Sequence, residues 1–165
     1  MNRPLTGITA ATATVPEDSR IAPGFPGSLP ILTLEGELPI SQLMPGDRVI
    51  TRDQGMAILR DITPMRTRCA MVRVRGGSLG HVTPGVDTLL PAAQPVLLRD
   101  WRAKALFGLP QAIAPAQALI DGEFICDAGE HEVALIQLSF DAPHILYVGG
   151  LELSCPGPEA LRKAA

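Results

Sequence analysis

Turn-forming residues interrupt this chain so often that no long helix can be built from it. Sixteen prolines and sixteen glycines are spread through 165 residues. Proline lacks the amide hydrogen that a helix interior needs, and glycine is costly to order there. From Leu29 onward the intervals between breakers hold short apolar segments. Pro30-Ile-Leu-Thr-Leu34, Leu38-Pro-Ile40 and Arg48-Val-Ile-Thr51 are cut apart by Glu35-Gly36, Pro45-Gly46-Asp47 and Asp53-Gln-Gly55. These read as strands of about four to six residues joined by tight turns. In Ala70-Met-Val-Arg-Val-Arg75, valine and arginine alternate as they do on a strand with one wet face. Pro95-Val-Leu-Leu98, Glu132 to Phe140 and His144-Ile-Leu-Tyr-Val148 supply further strands, and Gly149-Gly150 turns the chain into Leu151-Glu-Leu153. Arg102 to Ile120 has the most helical composition, but Gly108, Pro110 and Pro115 limit it to one or two single turns. No internal repeat is legible. Many short strands with frequent turns predict an all-β domain, a sandwich or irregular barrel.

Size and charge narrow the functional classes. With 46% apolar residues the chain can bury a core, and with only 4% aromatics that core must be mostly Leu, Ile, Val and Ala. The formal charge of −3 is spread over mixed acids and bases without a basic run, so neither nucleic acid nor an anionic membrane is an expected partner. Residues 1–22, rich in Thr, Ala and Pro, lack apolar periodicity and read as a disordered or loosely ordered arm rather than a secretory signal. With no apolar run of about 20 residues, the expectation is a soluble, cytoplasmic protein. Residues 159–165 read as a tail.

Cys69, Cys126 and Cys155 are odd in number and widely spaced, which indicates packed, reduced thiols. They share no ligand-like spacing with His81, His131 or His144, and no metal or cofactor is expected. Glu123, Asp127, Glu130 and Glu132 read as a solvated face, Arg75-Gly-Gly-Ser-Leu-Gly80 as a turn, and Trp101 as a half-buried rim residue.

Taken in order, a series of segments resembles the bacterial Hint (hedgehog/intein) domain. It begins with Gly24-Phe25, Ile31-Leu-Thr33, Glu35-Gly36, Pro39-Ile40, Leu43-x-Pro-Gly-Asp-x-Val49 and Thr51-x-Asp-x-Gly55. It continues through Ser78-Leu-Gly80, Pro84-x-x-Asp87, Val96-Leu-Leu-Arg99, Leu106-Phe-Gly108, Pro115-Ala116 and Leu119-Ile120. Phe140-x-x-x-His144, Gly149-Gly-Leu-Glu152 and Ser154-Cys-Pro-Gly157 complete it. The resemblance spans residues 23–158 and implies an all-β horseshoe of short strands with pseudo-twofold symmetry.

The resemblance also implies a reaction. In that family a Cys or Ser opening the domain attacks the carbonyl before it, and histidines polarise the scissile amide and protonate its nitrogen. In this sequence Gly24 stands at the nucleophile position, Gln94 in place of the first histidine and Gln137 in place of the second, while His144 is retained. Glycine has nothing to attack with, and a carboxamide carries no proton to a leaving nitrogen near neutral pH. The resemblance therefore implies a degenerate member, not competent for autoproteolysis or splicing, with no catalytic residues expected. Such a domain would act as a structural or binding module for a protein partner. The rival expectation is a self-processing or hydrolytic enzyme using Ser28 or Cys155 with His144. Gln94 is expected to bond backbone, Ser28 to sit in a turn, and the short stretch before Gly24 to offer no domain for release.

Overall fold

A computed structural model describes residues 24–76 and 87–158. The expected arm, the tail, His81, and the Ser78-to-Pro84 part of the motif series lie outside them. Twelve strands are formed: β1 Phe25–Pro26, β2 Pro30–Thr33, β3 Gly36–Pro39, β4 Arg48–Thr51, β5 Gly55–Ile58, β6 Asp61–Val74, β7 Thr88–Pro91, β8 Pro95–Leu98, β9 Ala112–Pro115, β10 Ile125–Ser139, β11 His144–Val148 and β12 Leu151–Cys155. One helix, α1 (Trp101–Phe107), and the 3-10 turns Ile40–Gln42 and Ala116–Leu119 complete the described elements. The fold is all-β.

The turns follow from the residues at them. Thr33 donates its hydroxyl to the Gly36 carbonyl (2.7 Å) and accepts the Glu35 amide (3.1 Å), folding β2 onto β3. Thr51 likewise accepts the Gln54 amide (3.1 Å), and Gly55, at φ 89°, takes the left-handed position that starts β5. Asp100 caps α1 by accepting the Arg102 amide (3.0 Å), and Gly108 closes it at φ 71°. The helix spans two turns, within the limit set by its breakers. The stretch read as residual helix after it contains β9 instead, because Ala112-Ile-Ala-Pro115 finds β8 as a partner.

Two sheets share one core. The first has the order β1-β10-β6-β7, and the second runs β3-β2-β4-β11-β12-β8-β9 with β5 on β4. Phe140, Ile31, Ile40, Leu59, Leu90, Leu98, Ile125, Leu135, Leu138, Leu146, Leu151 and Leu153 are fully enclosed. β6, at 14 residues, and β10, at 15, run well beyond the segments expected as strands, Ala70–Arg75 and Glu132–Phe140. Pro64 sits inside β6 because β7 covers only Met71–Val74, so no strand needs an amide from the proline side there.

Backbone hydrogen bonds expose a twofold repeat that the residues conceal. β1 turns into β2 through Leu29 N–H to Pro26 O (3.3 Å), and β7 turns into β8 through Gln94 N–H to Pro91 O (3.0 Å). Pro30 faces Pro39 across β2–β3, as Pro95 faces Pro115 across β8–β9. The 3-10 turns bond back alike: Ile40 to Leu29 and Ser41 to Gly27 in one half, Ala116 to Gln94 and Gln117 to Ala92 in the other. Finally, β1 pairs with β10 while β7 pairs with β6. In the sequence the repeat survives at a few positions, among them the turn prolines Pro26 and Pro91, the paired prolines and the apolar residue after each.

Asp121 closes the loop that launches β10, accepting the amides of Glu123, Phe124 and Ile125 at 2.8–2.9 Å. Burial opposes its charge, but those amides and Arg102 hold its carboxyl below the usual aspartate value. A depressed folded-state pKa gives stability that is present above the unfolded value, near 3.8, and lost as pH falls through the folded one. Asp121→Ala is expected to cost about 1 kcal/mol at neutral pH in urea unfolding, with the gap to wild type closing below pH 3.8.

Candidate functional site

Four distant parts of the chain converge on one small cavity. Gly24, Phe25, Gln94, Gln137, Leu138, Cys155 and Pro156 line a space of about 10 Å³, barely enough for one water molecule. Pairing of Phe25 with Ile136 sets Gly24 beside Gln137. Pairing of β8 with β12, Val96 opposite Leu153, brings Gln94 to the end of β12 and so to Cys155. Three of the positions singled out in the sequence, Gly24, Gln94 and Gln137, thus meet although 113 residues separate the first from the last (137 − 24).

Gln94 is fully buried. Its amide nitrogen donates to the carbonyls of Pro95 (2.8 Å) and Ser154 (2.9 Å), tying β8 to β12 as the expected backbone-bonding role requires. With Nε2 committed to two acceptors, Oε1 takes the other side, and it finds no partner among the described residues. At Gly24 the backbone has φ +142°, and an added Cβ would lie 3.0 Å from the Ile136 carbonyl oxygen and 3.2 Å from the Leu135 Cβ. That backbone turn is a glycine turn: any side chain would meet both strain and the ladder of β10.

His144 does not line this cavity. Its Nδ1 donates to Asp53 Oδ2 (2.9 Å), while Asp53 Oδ1 accepts the Ile145 amide (2.8 Å), and the ring stands edge-on to Phe140 at 5.6 Å. Asp53, in the turn between β4 and β5, therefore pins that turn to the start of β11. The sequence showed Asp53 only as part of a Thr-x-Asp-x-Gly turn, and its histidine partner, 91 residues on, left no local signal. Cys155 stands opposite His144 across β11–β12, yet its thiol donates to the Leu138 carbonyl (3.5 Å), and complete burial pushes it up to about 12. Ser28 is exposed in the turn after β1 and lines a separate, broad groove with Pro26, Ser41, Met65 and Ile136.

Other expectations resolve by exposure. Glu123, Asp127, Glu130 and Glu132 are exposed, as a solvated face should be. Trp101 is not half-buried: it is 68% exposed, and it packs against the guanidinium of the buried Arg102, 4.7 Å from the indole centroid. Among the described residues no three His, Cys, Asp or Glu side chains gather to hold a metal, and no helix is long and apolar enough to cross a membrane.

A sequence profile described as the Hint domain matches residues 23–155. Among solved structures, the MchDnaB-1 intein superposes with a TM-score of 0.50 at 13% identity, covering 80% of this chain and 99% of the intein. The gp41-1 intein gives 0.49 at 12% identity, covering 79% and 96%. The first likeness is one of fold. No curated protein matches significantly in sequence.

Two measurements check the site's geometry. A thiol at about 12 is ionised in only about one molecule in 10⁴ at pH 8, so native-state alkylation followed by mass spectrometry should label the half-buried Cys69 and Cys126 well before Cys155. Asp53→Ala orphans the Ile145 amide and the His144 ring, and should cost about 1–3 kcal/mol in chemical unfolding, more than Asp53→Asn, which keeps an acceptor.

Proposed function

This chain belongs to the Hint domain family, and we propose that it is a member that does not rearrange its own backbone and serves as a structural or protein-binding module. The observation that carries this reading is the conformation at Gly24. A processing domain presents a thiol or hydroxyl at its first strand. Here the position has no side chain, and its φ of +142° and close approach to the Ile136 carbonyl leave no room for one. Beside it, two carboxamides, Gln94 and Gln137, stand where the reaction would need groups that hold and release a proton.

The hydrolytic alternative fares less well. A nucleophile needs a base within hydrogen-bond reach, itself oriented by a third group. His144 has the orienting carboxylate in Asp53, but the Cys155 thiol is spent on the Leu138 carbonyl and held protonated by burial. Ser28 opens onto a different surface. A fold tied together by the Asp53–His144 hydrogen bond and a buried glutamine, with no reactive group at its centre, is suited to presenting surface.

Full-length protein incubated with and without a strong thiol should keep its intact mass of 17.5 kDa; a fragment beginning at Gly24 would overturn the reading. Gly24→Cys should leave the chain uncut and lower its stability by about 1–3 kcal/mol in urea unfolding.

A further inference from the structure

The ribbon of β6 and β10 carries a cluster of donors on the part remote from the Gly24 cavity. Cys69 and Met71, two residues apart on β6, point to the same face, and their sulfurs are 3.8 Å apart. In the register of the ribbon His131 lies directly opposite Cys69, so the imidazole rises from that face beside the thiol. Opposite Met71 is Gly129, which has no side chain to fill that face, and Met71 itself is buried, 3% exposed. No spacing in the sequence joins these residues, because 62 positions (131 − 69) separate the histidine from the cysteine.

The histidine is prepared for ligation by a bulge. Asp127 Oδ1 accepts the Gly129 amide (2.8 Å), Gly129 takes φ 79°, and the register slips by one at Ala128. The Ala128 carbonyl, at 2.6 Å, accepts from His131 Nε2. A carbonyl oxygen only accepts, so Nε2 is the donor, and in the neutral ring Nδ1 is the nitrogen left with a lone pair. Metal-binding imidazoles are commonly held in this way by a backbone carbonyl on the other nitrogen.

We propose that Cys69, Met71 and His131 form a binding site for a soft monovalent metal ion, copper(I). The thioether decides the class of ion: zinc and harder cations draw on thiolate, imidazole and carboxylate, whereas methionine sulfur is a ligand of copper(I). The two sulfurs are already at a chelating separation. At a metal–sulfur length of about 2.3 Å, as in zinc thiolates, one ion bridges sulfurs up to about 4.6 Å apart. Cys69 is half-buried, within reach of an ion entering from the exposed histidine side. On binding, the S–H proton leaves to solvent and a copper–thiolate bond forms. The ion's single charge is then matched by one thiolate, with no change of oxidation state. His131 is exposed and gives the ion its way in. The proposal is independent of whether the domain processes itself.

Anaerobic titration of the full-length protein with copper(I) against a chromophoric copper(I) chelator tests it. One equivalent should be withdrawn from the chelator, and Cys69→Ser, Met71→Leu and His131→Gln should each weaken binding by at least 10–100-fold, on the order seen when metal-site groups are removed. Cys126→Ser, on the same ribbon but outside the cluster, should leave it unchanged, and circular dichroism should find each variant folded. X-ray absorption should report two sulfurs and one nitrogen. If the sulfurs merely pack, copper stays with the chelator and the three variants match wild type. That result, or loss of binding in Cys126→Ser alone, or tighter retention of zinc than of copper(I), would overturn the proposal.

Discussion

The antiparallel ladder between β6 and β10 is the interaction on which everything else depends. It joins Asp61–Val74 to Ile125–Ser139 and gives each half of the molecule its counterpart from the other. β7 adds to one end of it through Met71–Val74, and β1 adds to the other through Leu135 and Ile136. Without the ladder, β1 would have no partner and Gly24 no fixed place. Its pairs are also non-local, so it forms only when chain segments tens of residues apart have met.

The ladder explains why one strand pair can carry two unrelated arrangements. Near Ser139 its residues Leu135 and Leu138 are buried and Leu138 walls the Gly24 cavity, so the chemistry there is decided by enclosure. Toward Gly129, where β7 has only begun to cover the β6 edge at Met71, side chains such as Glu130, His131 and Glu132 meet solvent. A bulge at Ala128 lies just beyond the exposed stretch. Enclosure fixes Gln94 and silences Cys155, whereas exposure leaves His131 available.

Much of the fold was legible because turn chemistry is local. Thr33 with Gly36, Thr51 with Gly55, and Asp100 with Gly108 each satisfy their own backbone within a few residues, so the motifs in the sequence report the turns directly. Strand length was less legible. The Thr- and Arg-rich first half of β6 contains Pro64 and lacks clean alternation, and β10 contains an Asp-Ala-Gly that imitates a turn. Tertiary pairing overrode both signals. The twofold repeat, implied by the family resemblance, is hard to read in the residues because much of it is kept in carbonyl and amide partners: Leu29 and Gln94 hold equivalent places with side chains that share no chemistry.

The sequence by itself determined which side chains stand at Gly24, Gln94 and Gln137. Gly24, Gln94 and Gln137 have the side chains they have wherever they lie, and no packing makes a carboxamide shuttle protons near neutral pH. Only the tertiary structure decided who stands next to whom: Gln94 beside Gly24, Asp53 on His144, Cys155 turned to the Leu138 carbonyl, and His131 opposite Cys69. The physical reason is range. A side chain's chemistry is a property of one residue, and a turn of three or four, but a neighbour across a sheet is set by the register of strands that the sequence separates widely.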